Sequence, residues 1–176
     1  MPFSLRPADA ADAAPLAALH TAVAEHLTQM HGRGPWSAAT SEKGVLYAMR
    51  TCRVLVAGEG AEIIATLRLT TRKPWAIDPR YFAMSDMPVY LLAMAVTPAR
   101  QRQGIGRRCL EEARQIAKAW PAEAIRLDAY DADAGAGPFY ARCGFTEVGR
   151  ATYRNAPLIY YELVLAQSAP PRRERM

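Results

Sequence analysis

The segment Val96–Gly106 holds the residues of this sequence that are best suited to binding an anion. It reads Val-Thr-Pro-Ala-Arg-Gln-Arg-Gln-Gly-Ile-Gly, so that a buried strand ends, a basic turn follows and two glycines open an amphipathic helix. The first turn of a helix exposes unpaired N–H groups at the positive end of the helix dipole. Glycines let a phosphate approach that backbone without a Cβ in the way. Because Gly-x-Gly is also ordinary turn chemistry, the segment alone favours a phosphate site without requiring one.

Two better-known phosphate loops do not fit this segment. No Gly-Lys-Ser/Thr follows the glycines, which a P-loop would need. A dinucleotide-binding fingerprint would place a third glycine after Gly106, and its loop would follow a first strand rather than the fourth predicted one.

The charge distribution supports a local anionic partner. Residues 99–118 contain six basic and two acidic side chains, so this short segment carries +4 of the net charge of +5. A nucleic-acid binder would need a broader basic face, and we therefore predict no nucleic-acid partner. The longest apolar run is the eight residues Val89–Val96, far short of the roughly 20 needed to cross a bilayer, so we predict no membrane span.

The cysteines and histidines predict neither a metal site nor a disulfide framework. Three widely spaced cysteines lack metal-ligand spacing, and such a sparse, odd set is typical of a reducing cytoplasm. His20, His26 and His31 do not fall on one helical face. The N-terminus shows no basic region before its apolar stretch, which also favours a cytoplasmic protein.

The apolar periodicity predicts a mixed α/β fold in the order β-α-α-β-β-β-α-β-α-β-β. A short strand covers residues 3–6 and is closed by Pro7. Residues 53–57 and 62–70 form a hairpin, and 71–87 form a long loop. The fourth strand, Val89–Val96, is apolar on both faces and therefore central, and the helix after Gly104 leads to a parallel strand at 124–129. A short helix at 135–143 and a final hairpin complete a domain that we assign to residues 1–166. Residues 167–176 are a Pro- and Arg-rich tail that we expect to be disordered.

A second motif lies between Asp128 and Phe145, and together with the glycine loop it resembles the GCN5-related N-acetyltransferase (GNAT) superfamily. The family's glycine loop is Gln/Arg-x-x-Gly-x-Gly/Ala, and its later motif is Ala-x-x-Leu/Phe-Tyr-x-x-x-Gly-Phe. The first is matched by Gln101, Arg102, Gln103, Gly104, Ile105 and Gly106, and the second by Ala136, Phe139, Tyr140, Gly144 and Phe145. The element order fits the same acyl-CoA N-acyltransferase fold, with helices on both faces of the sheet.

The resemblance implies an acetyl-CoA-dependent N-acetyltransferase that needs no metal. Tyr140 would be the general acid for the leaving thiolate, and Phe139 would lie against the cofactor. Asp133 replaces the asparagine that the family usually has there, and a carboxylate cannot donate as an amide does. Backbone groups of Met94, Ala95 and Val96 would bond the pantetheine arm, and the stretch from Gln101 to Arg107 would hold the pyrophosphate.

Several alternatives stay open at this point. The general base is Asp86, Asp128, Asp131 or a water relay. We expect residues 31–36 and 75–82 to form the pocket for the acceptor, a small-molecule or peptide amine. Homodimers are common in the family that the sequence resembles. The same fold without turnover, as an acyl-CoA-binding sensor, is the alternative function.

Overall fold

In the computed structural model, which describes residues 4–60 and 62–165, one seven-stranded sheet organises the chain. The strands run in the order β1-β2-β3-β4-β5-β7-β6, and only β4 and β5 are parallel. The predicted order of elements is confirmed. The strands are β1 (Arg6–Pro7), β2 (Arg53–Glu59), β3 (Glu62–Thr70), β4 (Pro88–Val96), β5 (Ala124–Tyr130), β6 (Thr146–Tyr153) and β7 (Ala156–Val164). The helices are α1 (Ala13–His31), α2 (Glu42–Thr51), α3 (Ile105–Ala119) and α4 (Gly137–Arg142).

Helices pack on both faces of the sheet, as predicted. Strand residues such as Leu67, Ile125 and Leu127 share one buried cluster with the apolar side of α3 and with Tyr140 of α4. Val54 and Val56 point the other way, into a cluster with α1 and α2. The alternation of side chains along each strand makes this two-sided burial possible.

A cleft opens between β4 and β5 at the end of the sheet that carries the glycine loop. The two strands pair only over Pro88–Tyr90 and Ala124–Arg126, and beyond that point β5 continues to pair with β7 alone. Strand β4 also carries a bulge, since Thr66 lies opposite Ala95 whereas Arg68 lies opposite Leu92. Ala93 lies in the bulge at a φ of 48°, a left-handed conformation that costs an alanine about 1–2 kcal/mol. Beyond the bulge, Ala95 and Val96 remain paired with β3 while β4 separates from β5.

The long connection before β4 is tied to the sheet by a buried ion pair. Arg126 and Glu162 are 4% and 5% exposed and lie opposite each other on β5 and β7, with Nε and Oε1 separated by 2.9 Å. The Arg126 guanidinium also donates to the carbonyl of Ala83 and lies 4.9 Å from the ring of Phe82. Segment 71–87 contains a 3-10 turn at Pro79–Tyr81, and Arg126 holds this segment against the sheet.

The structure corrects three predicted boundaries. Strand β1 includes Pro7, which is tolerated because β1 is an edge strand. Helix α4 begins at Gly137 rather than at 135, and β2 continues to Glu59, two residues beyond its predicted end at 57. The last hairpin turns at Arg154 and Asn155, both with positive φ, as a type I′ turn requires. The predicted tail, 167–176, lies outside the described residues.

Candidate functional site

A cavity of about 560 Å³ lies where the cleft between β4 and β5 meets the N-terminus of α3. Four parts of the chain form its walls: the end of β4, the glycine loop, α4 and one side of α1. Most of the residues predicted from the two motifs line it, namely Met94, Ala95, Val96, Gln101, Arg102, Gly104, Gly106, Arg107, Phe139 and Tyr140.

The loop before α3 has the backbone shape of an anion-binding site. Arg102 and Gly104 both adopt left-handed conformations, with φ values of 60° and 79°. Such turns aim successive N–H groups into one concavity. Gly104 then caps α3, whose first-turn N–H groups have no partner within the helix. The helix therefore begins at the glycines, as predicted, and phosphate binding by this loop stays a prediction.

At Gly106 the backbone is closely approached from the cavity side. A Cβ at this position would lie 3.0 Å from Cζ of Phe139 and 3.4 Å from Cε of Met94. Any side chain would push into the space between α3, α4 and β4, so the open channel along the loop depends on this glycine.

The loop's polar side chains divide into structural and free groups. Arg100 is held by both carboxylate oxygens of Glu59 at 2.6 Å. The amide of Gln101 donates to the carbonyl of Val96 at 3.1 Å, and Arg107 donates to the carbonyl of Arg142 at 3.1 Å. Arg102 is exposed at the cavity rim and makes no hydrogen bond to any described residue. The cavity rim is therefore basic.

Tyr140 is the candidate proton donor of the cavity. Its residue is 7% exposed and packs against Phe139, Phe145 and Tyr161 at centroid distances of 5.3–6.2 Å. Its hydroxyl has no hydrogen-bond partner in the described part of the chain. Burial, followed by the nearby Asp128 carboxylate, raises the pKa of Tyr140 above its usual value. The phenol is therefore protonated at neutral pH and faces a cavity with its proton uncommitted.

Of the three carboxylates considered as bases, Asp128 is the one that lies beside the open part of the cleft without a charged partner among the described residues. Asp131 is bound by Arg150 at 3.0 Å, and Asp86 precedes the closed end of β4, away from the cleft. Asp128 lies in β5 beside the cleft and is half-buried. Burial raises its pKa, which makes the carboxylate a better proton acceptor than one in water.

Three predicted cofactor contacts fall outside the cavity lining. Ile105 is buried in the core, and the amide of Gln103 is bonded to Arg100 and to the carbonyl of Ala99. Only their backbone N–H groups remain for a ligand. Asp133 is exposed, although its neighbour Ala134 lines the cavity. A cofactor contact by Asp133 remains a prediction.

The sequence motifs missed the contribution of α1. Val23 and Leu27 line the cavity, whereas their helical spacing indicates only a buried face. The predicted acceptor segments take different places: Trp36 packs edge-on against Tyr130 at 5.9 Å, whereas Trp75 borders a separate cavity of about 340 Å³. The α1 side of the cleft is therefore built partly from residues that neither motif contains.

The described residues hold neither a membrane-spanning helix nor a metal cluster. Within residues 4–60 and 62–165, no helix is both long and apolar enough to cross a bilayer. Across the same ranges, no three His, Cys, Asp or Glu side chains gather in a way that would hold a metal ion.

A cleft-forming sheet, a glycine loop opening α3 and a tyrosine in α4 together define an acetyltransferase of the GNAT type. The model of the acetyltransferase (GNAT) family matches residues 20–145, most of the chain. The chain therefore belongs to this family, and the predicted enzyme class is confirmed. No curated protein shows a significant sequence match.

Solved structures confirm the fold. The structure of yncA from Salmonella typhimurium with its cofactor acetyl-CoA superposes with a TM-score of 0.67 at 20% identity, over 97% of this chain and 98% of that one. The ribosomal-protein-S18-alanine N-acetyltransferase from Escherichia coli gives a TM-score of 0.67 at 17% identity, with the same coverage of 97% and 98%. An aminoglycoside 6′-acetyltransferase type Ii gives 0.66 at 16% identity, over 94% and 99%.

Proposed function

We propose that this protein transfers the acetyl group of acetyl-CoA to the amine of an acceptor, by direct attack in a ternary complex with Tyr140 as general acid. One observation carries the proposal: the unpartnered hydroxyl of Tyr140 faces the same cavity as the anion-binding loop at Gly104 and Gly106. A loop suited to bind a pyrophosphate and a side chain suited to donate a proton therefore line the same cavity. The similar fold of yncA, solved with acetyl-CoA, supports this choice of donor.

The residues present fit acetyl-CoA. The left-handed turns at Arg102 and Gly104 offer N–H groups to the pyrophosphate, and the basic rim attracts it. Along Met94–Val96, the edge of β4 towards β5 is unpaired in the sheet. Although the Val96 carbonyl accepts from Gln101, this edge is open to an amide-bearing arm. When bound, acetyl-CoA supplies an activated acetyl group as a thioester.

The proton transfers follow from the two perturbed groups. The acceptor's ammonium gives a proton to Asp128, and the neutral nitrogen forms a C–N bond at the thioester carbonyl. As the C–S bond breaks, the thiolate takes the proton of Tyr140. As the acetamide forms, the nitrogen gives its second proton to the Tyr140 phenolate, and Asp128 releases its proton to water. An N–H of the bulged β4 near Met94 or Ala95 would stabilise the carbonyl oxygen during attack.

The base assignment predicts the effect of Asp128→Asn. We expect kcat/KM at pH 7 to fall about 100-fold, within the range for loss of a general base. In the unmodified enzyme, kcat/KM falls as the pH drops through the raised pKa of Asp128, because protonation removes the base. In the variant, the part of the pH profile that reflects Asp128 disappears. The residual activity then rises with pH because the free amine is formed in solution.

Asp131→Asn is the matched control for this pH profile, because the Asp131 carboxylate is paired with Arg150. Its profile should overlay that of the unmodified enzyme. A normal profile for Asp128→Asn, or the altered one for Asp131→Asn, would remove Asp128 from the mechanism.

Direct attack predicts that no cysteine carries the acetyl group. Burial raises the pKa of Cys109 to about 12, so its thiol is not a nucleophile at neutral pH. Cys143 lines the cavity and is the one cysteine there among the described residues. We therefore expect Cys143→Ala to keep kcat within about threefold, and mass spectrometry of the unmodified enzyme with acetyl-CoA to show no acetyl adduct. An acetylated Cys143 that disappears when amine is added would establish a two-step mechanism instead.

A sensor that binds acyl-CoA without turnover is the alternative. A thiol-release assay with a panel of amines separates the two, because a sensor would bind acetyl-CoA and release no thiol beyond hydrolysis. The neighbours do not identify the acceptor: one is named for an aminoglycoside and another for an alanine of a ribosomal protein. The acceptor, a small-molecule or peptide amine, has to be inferred from this chain's own residues.

A further inference from the structure

Arg68 of β3 is a half-buried cation without an acceptor among the described residues. Its Nε is fully buried, and its guanidinium makes no hydrogen bond or ion pair within residues 4–60 and 62–165. Burial lowers the pKa of Arg68, which reflects the cost of keeping this charge away from water. Withdrawing part of a charged group from water without giving it a partner is unfavourable for the free protein. Its position is better explained if Arg68 binds a ligand than if it supports the packing of the free protein.

Arg126 shows what a structural arginine looks like in this sheet. It lies on the same face and is bonded to Glu162 and to the carbonyl of Ala83, with Phe82 beneath its guanidinium. Arg68 has none of these three kinds of partner. The two arginines therefore differ in role: Arg126 joins two parts of the protein, and Arg68 leaves its donors available.

The strand register places Arg68 in one row of residues across the cleft, together with Leu92 and Asp128. Arg68 lies opposite Leu92 of β4, and Tyr90 lies opposite Arg126 of β5, so Leu92 and Asp128 stand at the same level. Adjacent strands are about 4.8 Å apart, which puts the backbones of Arg68 and Asp128 about 10 Å apart, or more where β4 and β5 separate. No ion pair joins these two side chains.

Both charges project from the same face of the sheet. Arg68 is opposite Val54, which packs against α1 and α2, so it faces those helices. Ile125 and Leu127 face α3, so Asp128, between Leu127 and Ala129, faces the other way. Leu92 between them is half-buried, and Ala93 beside it is exposed. The row does not itself line the cavity that holds Tyr140, but Met94, two residues beyond Leu92 on β4, does.

His20 of α1 faces Arg68 without neutralising it. Burial, and then the charge of Arg68, lowers the pKa of His20 to about 4, so the imidazole is uncharged at neutral pH. It adds no second cation and supplies no anion. The guanidinium therefore remains the source of positive charge on this side of the row.

We propose that Arg68 binds a carboxylate of the acceptor, so that the substrate is a small zwitterion of the α-amino acid class whose amine lies towards Asp128. This inference rests on the proposed acetyl transfer and names the chemical class of the acceptor. A carboxylate satisfies the fork of a guanidinium with two parallel hydrogen bonds. The anionic group of the ligand then occupies one end of the row, and its amine occupies the end beside Asp128 and Tyr140.

The test compares L-amino acids with their α-carboxamides as acceptors. Each pair differs in the charge of one group, and the amide has the less basic amine, so a preference for the free acid cannot come from easier deprotonation. Arg68→Met, Arg68→Lys and a control, Arg53→Met, are assayed by thiol release. Arg53 lies on β2 over the ring of Trp120 and has no carboxylate partner in the described chain. Binding of acetyl-CoA to each variant is measured separately by calorimetry.

We expect the free acids to be preferred by the unmodified enzyme. Arg68→Met should lower their kcat/KM roughly 10- to 100-fold, mainly through KM, as for loss of hydrogen bonds to a charged group. It should change kcat/KM for the amides by less than threefold, and Arg53→Met should change neither. Arg68→Lys should restore only part of the loss. The affinity for acetyl-CoA should be the same in all four proteins.

Equal use of acids and amides, equal losses for both in Arg68→Met, or turnover only of peptides or amines without a carboxylate would overturn the inference. Binding of acetyl-CoA without thiol release from any amine, with or without a carboxylate, would instead point to the sensor and remove the proposed function. Failure to bind acetyl-CoA would instead remove the proposed function itself.

A stability measurement separates a binding role from a structural one without any substrate. Since Arg68 has no partner in the free protein, Arg68→Met should raise the melting temperature, by about 2–4 °C in a domain of this size. A loss of several degrees would show that Arg68 supports the fold, and would contradict the inference.

Discussion

Tyr140→Phe should lower kcat at least 100-fold and leave the dissociation constant of acetyl-CoA within about twofold. The substitution removes one hydroxyl whose proton we assign to the leaving thiolate, and loss of a general acid costs 10²–10⁴ in rate. The ring remains to pack against Phe139, Phe145 and Tyr161, and no hydrogen bond to a described residue is lost. The melting temperature should therefore be almost unchanged. Steady-state kinetics and calorimetry provide the two numbers.

Tyr161→Phe is the matched control. The ring of Tyr161 lies 6.2 Å from that of Tyr140 and is similarly buried, yet Tyr161 does not line the cavity. Its kcat should stay within about threefold of the unmodified value. If Tyr140→Phe kept full kcat, the thiolate would have to be protonated by solvent, and the role of Tyr140 would be limited to packing.

The second large effect concerns binding. Gly106→Leu should weaken acetyl-CoA at least 100-fold, or about 2.7 kcal/mol in binding free energy. A side chain at Gly106 starts from a Cβ only 3.0 Å from Phe139, and a leucine there extends into the channel along the loop. Gly106→Ala, which adds the Cβ alone, should have a smaller effect in the same direction. Calorimetric titration measures both.

Gln115→Leu controls for adding a leucine to α3. Gln115 is on the exposed side of that helix, where its amide contacts Glu111. This variant should bind acetyl-CoA normally. Circular dichroism must show native folding for the Gly106 variants. Normal affinity in correctly folded Gly106→Leu would mean that acetyl-CoA does not pass along this loop.

The sequence predicted the order of elements and the glycine loop because both depend on local signals. Apolar periodicity marks each strand and helix, and Gly104 and Gly106 stand directly at a helix start. The motif around Tyr140 is equally compact, with Phe139 and Gly144 close by in the chain. Residues that act through such short-range patterns can be located from the amino-acid sequence alone.

The acceptor side of the cleft could not be predicted in the same way. Leu92 and Arg68 become neighbours through the register of β3 with β4, and Asp128 joins their row through the register of β4 with β5. These registers bring together residues 24 and 36 positions apart, which no local spacing reveals. The bulge at Ala93 was also hidden, because an alanine gives no sequence signal for a positive φ.

The general base shows the same limit. The sequence does not distinguish the three aspartates, because Asp86, Asp128 and Asp131 all lie near strand ends. Asp131 is paired with Arg150, which lies 19 residues further along the chain, and Asp86 is at the closed end of β4. The strand pairing and the burial of Asp128 distinguish the three, and both are properties of the folded state.

The most direct test of the proposed function is a calorimetric comparison of acetyl-CoA with S-acetylpantetheine, which carries the same thioester without the pyrophosphate or nucleotide. If the N–H groups around Gly104 and Gly106 hold the pyrophosphate, acetyl-CoA should bind one to one and at least 100-fold more tightly than the truncated thioester. Equal affinities, or no heat of binding with acetyl-CoA, would contradict the assignment of this loop and the transfer mechanism built on it.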